Sequence, residues 1–418
     1  MFKAHRLALA CASLFAASGP VHAGPKAEVI HWWTSGGESA AVKQVAEAYR
    51  SAGGVWVDTA IAGGDQSRAV TINRIVGGNA PTAAQFNTTK QFLDLIEQGM
   101  LNDVDELAQA QAWDRTLPEP IVNVIKVRGH YYAVPLNIHM MTWIWYSKAA
   151  FRKAGIAREP ATIDELFAAL DQLKAAGIVP LAHGGQPWQE MILFTAMLSN
   201  VGGKELYLKV LRERDQRAIN SDAFRKVLLA FKRLQSYADP GAPGRNWNDA
   251  TAMLISGKGG VQIMGDWAKG EFTAAGKKPG VDFICAPTPG AQGYLLNTDS
   301  FVFFNVKNGG PDVAAGQKLF AKLLMGADFQ ELFNLYKGSI PARLGVKRDK
   351  FDACAIKSMD DLDLSIKNHS LEPSMAHEMA TTGAVRGAIL DVVTEHFNSD
   401  MASAAAATKL ADAVAAAK

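Results

Sequence analysis

Tryptophan, carboxylate and amine side chains stand at the ends of several apolar runs in this chain. These are residue types that can hold or cleave a polar molecule. Trp32 and Trp33 close an apolar run that begins near Glu28, and Glu38 follows them. Trp267 comes after Gly265-Asp266 behind a second run, Asn297 and Asp299 immediately precede a third, and Lys337 stands before Gly338. Lys90 opens a helical pattern after Asn87-Thr88-Thr89, and His377 lies in Ser374-Met375-Ala376-His377. Open α/β sheets bind ligands beyond the carboxyl ends of their strands, where Trp32 and Trp33 sit. Alternation along a strand sends the two rings to opposite sides, so one is expected to face a ligand and the other the core. A flat ring offers an apolar face, and charged groups around it make strong hydrogen bonds to a polar rim.

Each residue also has a purely structural role open to it. Glu38 fits a capping box with Ser35 as N-cap. Asn297 and Asp299 are common turn formers, and a lone helical histidine such as His377 is usually a satisfied packing residue. A cation at a helix N-terminus opposes the helix dipole, so the placement of Lys90 points to a local task.

Bond-breaking signatures fail on inspection. Ser256-Gly257-Lys258-Gly259 lacks both the leading glycine and the following Ser/Thr of a phosphate loop. Gly37-Glu38-Ser39-Ala40-Ala41 misses the last glycine of a nucleophile elbow, and His377-Glu378-Met379-Ala380-Thr381 is not HExxH. Glu38, Asp266 and Asp299 are nominal partners for a two-carboxylate glycosidase, whose test is a separation that sequence does not supply.

The elements that must position these residues alternate between strand and helix. Strands are expected at Glu28 to Trp33, Val55 to Ile61 and Pro81 to Phe86. Between them lie a helix burying Val42, Val45, Ala46 and Tyr49, and another from about Arg68 to Val76. A helix from Gln91 to Gln98 follows, stopped by Gly99. Such alternation argues for a mainly parallel sheet with helical crossovers. Beyond Pro135 the texture changes. An aromatic strand is expected from Met140 to Tyr146, then helices at Ile163 to Lys174 (capped by Thr162), Met191 to Asn200 and Asp222 to Tyr237. Strands at Val261 to Met264, Phe283 to Ala286 and Ser300 to Val306 are followed by a helix from Val313 to Leu324 and a helix-prone, Ala-rich C-terminus.

The chain begins with Lys3, His5 and Arg6 before an apolar run from Leu7 to Ala17, and Val21-His22-Ala23 has small-x-small spacing. This predicts a secretory signal peptide over residues 1–23 and an exported, periplasmic protein. A lipoprotein signal at Cys11 is the rival reading, with a very short apolar stretch before the cysteine. Of 418 residues, 48% are hydrophobic, which supports a substantial core and excludes a disordered chain. The formal charge of +2 is matched by Lys3 and Arg6 of the leader. A neutral remainder has no broad attraction for nucleic acid or anionic lipid. Cys285 and Cys354 remain after the leader, with no CxxC pattern. Two separate buried thiols are the expectation, and one disulfide the alternative in an oxidising compartment.

Taken in order, these segments resemble the solute-binding proteins of ABC sugar importers (extracellular solute-binding family 1). The resemblance is carried by Trp32-Trp33, Gly78-Asn79-Ala80-Pro81, Gly99-Met100-Leu101 and Asp105-Glu106-Leu107. It continues through Tyr131-Tyr132-Ala133-Val134-Pro135, Trp145-Tyr146-Ser147-Lys148, Phe151-Arg152-Lys153-Ala154-Gly155-Ile156, Gly265-Asp266-Trp267 and Gly338-Ser339-Ile340-Pro341-Ala342-Arg343. Within the family the chain is most similar to periplasmic glucose-binding proteins, through Trp32-Trp33, Lys90, Lys337 and His377. The resemblance implies an α/β, two-lobed periplasmic binding protein (type II, venus-flytrap), each lobe a mainly parallel sheet flanked by helices. Residues 24–135 plus 297–337 would form the first lobe and residues 136–296 plus 338–418 the second.

It further implies a monosaccharide ligand, glucose or a close epimer, held between the lobes by Trp32, Trp33, Glu38, Lys90, Trp267, Asn297, Asp299, Lys337 and His377. The implied partner is a membrane ABC permease. A monomer is implied, with no catalytic residue, metal or cofactor. The alternatives are an oligosaccharide receptor and an exported glycoside hydrolase.

Overall fold

The computed structural model describes residues 24–291, 293–306 and 310–417, so the expected leader over residues 1–23 lies outside the described residues. In the first sheet Lys26–His31 lies between Val55–Ala60 and Ala83–Phe86 and is parallel to both. The helix Gly36–Ser51 covers this sheet with Val42, Val45, Ala46 and Tyr49, the face that the periodicity predicts. Tyr49 meets Trp56 and Phe320 beneath it.

The remaining strands of this sheet run the other way. Ser300–Phe304 pairs antiparallel with Ala83–Phe86, Leu101–Asn102 and Ala133–Pro135. The second sheet has the order Val179–Leu181, Gly259–Ile263, Trp143–Ser147, Phe283–Pro287, with only its first pairing parallel. The expected mainly parallel pairing therefore holds where local strand–helix–strand units build the sheet. It gives way to antiparallel pairing where a strand arrives from elsewhere in the chain, because the direction of such a strand is set by its route and not by a local helix.

Those arrivals define a third sheet, with the order Ile340–Pro341, Asn137–Met140, Tyr294–Asn297, Leu371–Pro373. Asn137–Met140 leads from the first sheet to the second, Tyr294–Asn297 leads back, and Ile340–Pro341 leads out again. They pair with one another, Asn297 opposite His139 and Ile340 opposite Ile138. The aromatic strand expected from Met140 is thus divided in two, a crossing piece and a sheet piece. Crossing segments are buried here, and mutual pairing satisfies their backbone groups without water.

The second half carries more helix than the sequence predicts, including Lys148–Ala154, Ala268–Ala274, Ala327–Lys337, Ala353–Lys367 and Gly383–Asn398. Pro187–Leu211 begins a turn earlier than expected and is interrupted at Gly203, and Trp247–Ile255 was not anticipated. The Ala-rich end forms Ser403–Ala416, docked through Ala406, Ala407, Leu410, Ala411 and Val414. Among the described residues no helix is long and apolar enough to cross a membrane.

One expectation is corrected. Cys285 and Cys354 are disulfide-bonded, with Cα atoms 6.0 Å apart, and are not separate thiols. Cys285 lies on Phe283–Pro287 and Cys354 in the helix Ala353–Lys367. The intervening chain visits the first sheet and returns, a closure that linear spacing does not reveal.

Candidate functional site

The crossing sheet forms the floor of a cavity of about 630 Å³, within the usual range for a small-ligand site. Its inner end is built around Asp299. Asp299 Oδ1 accepts from Asn87 Nδ2 at 3.1 Å, and Oδ2 accepts from Asn137 Nδ2 at 2.9 Å and His139 Nε2 at 3.0 Å. Asn137 also accepts the Asp299 backbone N–H at 2.8 Å. Burial works against this charge. The hydrogen bond and charge of His139, aided by Lys337 and Asn137, outweigh it and hold the Asp299 carboxyl well below the usual carboxylate range.

His139 is bonded on both ring nitrogens, Nδ1 lying 2.5 Å from Asp266 Oδ1. Burial alone would discharge the imidazole. The charge and hydrogen bond of Asp266, then the bond to Asp299, overcome burial and raise its pKa.

The first-lobe wall follows from the end of Lys26–His31. Alternation stops there, so Trp32 and Trp33 both reach the cavity, which corrects the expectation that only one would. Trp33 packs on Phe301 and Phe333 while its Nε1 is buried without a hydrogen-bond partner among the described residues. Glu38 forms the capping box and also pairs with Lys337. Its Oε2 accepts from the backbone N–H of Ser35 at 3.2 Å in a capping box, and its Oε1 lies 3.4 Å from Lys337 Nζ. Lys337 ends the helix Ala327–Lys337, where a cation suits the dipole, before Gly338 in the left-handed region at φ 87°. Its Nζ lies 5.9 Å from the Trp33 ring centre and 6.0 Å from that of Trp267. The ammonium is thus within cation–π range of two aromatic rings.

The opposite wall is aromatic. Trp267 is ringed by His139 at 5.2 Å, His377 at 5.9 Å, Trp188 at 6.3 Å and Trp247 at 6.5 Å between centroids. Burial, then the neighbouring Arg386 charge, push the His377 imidazole down to about 3, so it is neutral at pH 7. Its Nδ1 and Asn297 Oδ1 are also buried without a partner among the described residues. Buried polar atoms are seldom left unpaired. Trp33 Nε1, Asn297 Oδ1 and His377 Nδ1 all belong to residues lining this one cavity.

Of the residues expected from sequence, all except Lys90 line the cavity. Lys90 is exposed, and its Nζ donates to the backbone carbonyl of Met379 at 3.2 Å. Its neighbours do likewise, Thr88 Oγ1 to the Glu378 carbonyl and Gln91 Nε2 to the His377 carbonyl at 3.2 Å. Its local task is to hold the segment that carries His377. Arg68, paired with Glu378 at 3.2 Å and with Asp65, extends this clasp at the cavity rim.

Sequence reasoning missed His139, Trp188 and Trp247. Pro187 at a first helical position signals a helix start beside Trp188, and Asn246 with Asp249 in the first turn signals one at Trp247. His139 carried no local signal.

The histidines set a pH dependence. His377 and His183, both pushed to about 3 by burial and a neighbouring arginine, bind protons less readily folded than unfolded. The unfolded value is about 6.5, so stability is lost as pH falls from there, by roughly 4 kcal/mol at pH 5 for the two together. His139 has the opposite sign: its raised pKa contributes fully below about 6.5, and that contribution is lost progressively as pH rises from there through the folded value. Thermal melts are expected to show a falling Tm between pH 6.5 and 5, and a flat Tm there overturns the assignment.

The sequence profile of bacterial extracellular solute-binding proteins matches residues 33–303. A probable sugar-binding periplasmic protein of Rhizobium meliloti (strain 1021) is 42% identical over 412 residues, covering 98% of each chain. A protein of the same description from Brucella melitensis biotype 1 is 43% identical over 394 residues, covering 94% of this chain and 92% of that one. Among solved structures, the bacterial solute receptor AcbH, described as exclusively preferring β-D-galactopyranose, superposes with TM-score 0.77 at 18% identity over 93% of this chain and 97% of its own. Maltose-bound T. maritima MalE3 gives 0.75 at 19% identity over 93% and 99%. At that identity the two structures speak for the fold alone.

Proposed function

This chain belongs to the bacterial extracellular solute-binding protein family, and from that premise we propose that it is the periplasmic receptor of an ABC sugar importer. It binds glucose or a close monosaccharide between its lobes and delivers it to a membrane permease. The family membership and the sugar-binding description of its relatives support the coarser part of this reading. The finer part rests on one observation: Trp33 and Trp267 both lie within about 6 Å of the Lys337 ammonium, in a cavity lined by three residues with buried polar atoms that have no partner among the described residues. A pyranose has C–H faces that suit the rings and hydroxyls that both donate and accept. Lys337 and Trp33 Nε1 can donate to it, while Asp299 Oδ1, Asn297 Oδ1, Glu38 Oε1 and neutral His377 can accept. A wrong epimer leaves one of these buried groups unpaired.

The lobes proposed are residues 24–135 plus 297–337 and residues 136–296 plus 338–418. Closure is a population shift, because a sugar touching both lobes favours the closed arrangement by its differential affinity. The glycosidase reading loses ground. Asp299 is held ionised, Asp266 is engaged by His139 and the Met140 N–H, and Glu38 by Ser35 and Lys337, whereas a general acid must carry a proton. The oligosaccharide reading gains an observation, since Trp188 and Trp247 extend the aromatic wall in a cavity roomier than one pyranose needs.

Calorimetric titration of the protein without its leader, using monosaccharides and short oligosaccharides, tests the proposal. Expected is one-to-one binding of a monosaccharide at micromolar Kd, about −8 kcal/mol, with the sugar recovered intact. Turnover, or binding of oligosaccharides alone, overturns it.

A further inference from the structure

We propose that His139 is a positioning residue for sugar recognition, aiming the Asp299 carboxylate into the cavity and tying that aim to the crossing strands. The inference rests on the sugar-binding reading of the cavity. His139 lies on Asn137–Met140, the strand leading from the first sheet to the second, and pairs in register with Asn297 on the strand leading back. Its two nitrogens reach different parts of the molecule. Nε2 meets Asp299, which immediately precedes the first-sheet strand Ser300–Phe304. Nδ1 meets Asp266, three residues beyond the second-sheet strand Gly259–Ile263. One buried ring therefore links a carboxylate from each side at the crossing.

The division of hydrogen bonds on Asp299 gives this link its consequence. Oδ2 receives both Asn137 and His139, while among the described residues Oδ1 receives only Asn87. A carboxylate oxygen has two acceptor positions. Oδ2 is thus filled and anchored, and Oδ1 retains the position available to a ligand hydroxyl. Without His139, Asp299 and Asp266 would face each other as two buried like charges, and the carboxylate plane would lose one of its fixed points. Lys337, His377 and the edge-on ring of Trp267 are the other groups bearing on His139. None of them supplies a replacement hydrogen bond to Asp299 among the described residues.

Two conservative variants divide the role. His139→Gln keeps an N–H donor near the Nε2 position and so keeps the bond to Asp299. His139→Asn keeps one near Nδ1 and so keeps the bond to Asp266. Each loses one buried bond, and their Tm values are expected to fall alike. Affinity is expected to separate them. For the sugar that the wild type binds, the Kd of His139→Gln stays within about fivefold, whereas that of His139→Asn rises on the order of 20-fold or more. Preference between epimers is expected to narrow in His139→Asn alone. Equal Kd values in the two variants, whether both weakened or both unchanged, overturn the proposal, because a merely structural histidine would not distinguish its two bonds. A wild type that binds no sugar overturns the functional reading itself, an outcome visible before either variant is made.

Discussion

Trp267→Ala is expected to weaken sugar binding by about 2–3 kcal/mol, roughly 30- to 150-fold, the range of an aromatic hot spot. The ring is 6% exposed, yet it lines the cavity along with His139, His377, Trp188 and Trp247, and Lys337 Nζ approaches it to 6.0 Å. Truncation removes an apolar face from the cavity and leaves Lys337 with Trp33 and Glu38. Stability falls as well, because removing a buried ring costs transfer energy and leaves a void. Part of that void opens onto the cavity, so the folded state is expected to persist at 25 °C. Trp267→Phe keeps a smaller face and should recover about half of the lost binding energy. Gly265→Ala is an independent probe of the same ring, since a Cβ there would lie 2.1 Å from the Trp267 ring and must displace it. Calorimetry beside thermal melts checks all three. Unchanged affinity in a folded Trp267→Ala protein would remove this wall from the site.

The Cys285→Ser/Cys354→Ser double variant is expected to lose about 4 kcal/mol of stability, the entropic value for a loop of this length. The bond spans 69 positions, and the enclosed chain includes the Ser300–Phe304 strand and the helix Ala327–Lys337. It fixes Ala353–Lys367 against the second sheet after that excursion. For a chain this large the loss corresponds to a Tm lower by about 5 °C. Neither cysteine lines the cavity, so sugar affinity at 25 °C should match the wild type. Differential scanning calorimetry with and without reductant measures the first part, and titration calorimetry the second. An unchanged Tm, with two thiols titrating in the unreduced native protein, would show that the bond does not form.

The two probes also show why some features were readable along the chain and others were not. Local rules govern short stretches. Ser35 with Glu38 announced a helix start, and Val42, Val45, Ala46 and Tyr49 announced its buried face. The signal for Trp188 was present in Pro187, ahead of the expected helix start. Lys90 shows the limit of such reasoning. Its placement against the dipole did mark a local task, but the acceptor is the Met379 carbonyl, almost three hundred positions away.

By itself the sequence determined the alternation of elements, the ends of strands where aromatic rings collect, and the resemblance to sugar receptors. These depend on periodicity, caps and turns, which act over a few residues. Only the tertiary structure decided that His139 joins Asp266 to Asp299, that Trp32 and Trp33 share one cavity, and that Cys285 meets Cys354. The chain crosses between the sheets three times, and which residues meet at the crossings depends on the routes of distant segments. A buried imidazole such as that of His139 is held by partners more than a hundred positions away, and no local pattern records them.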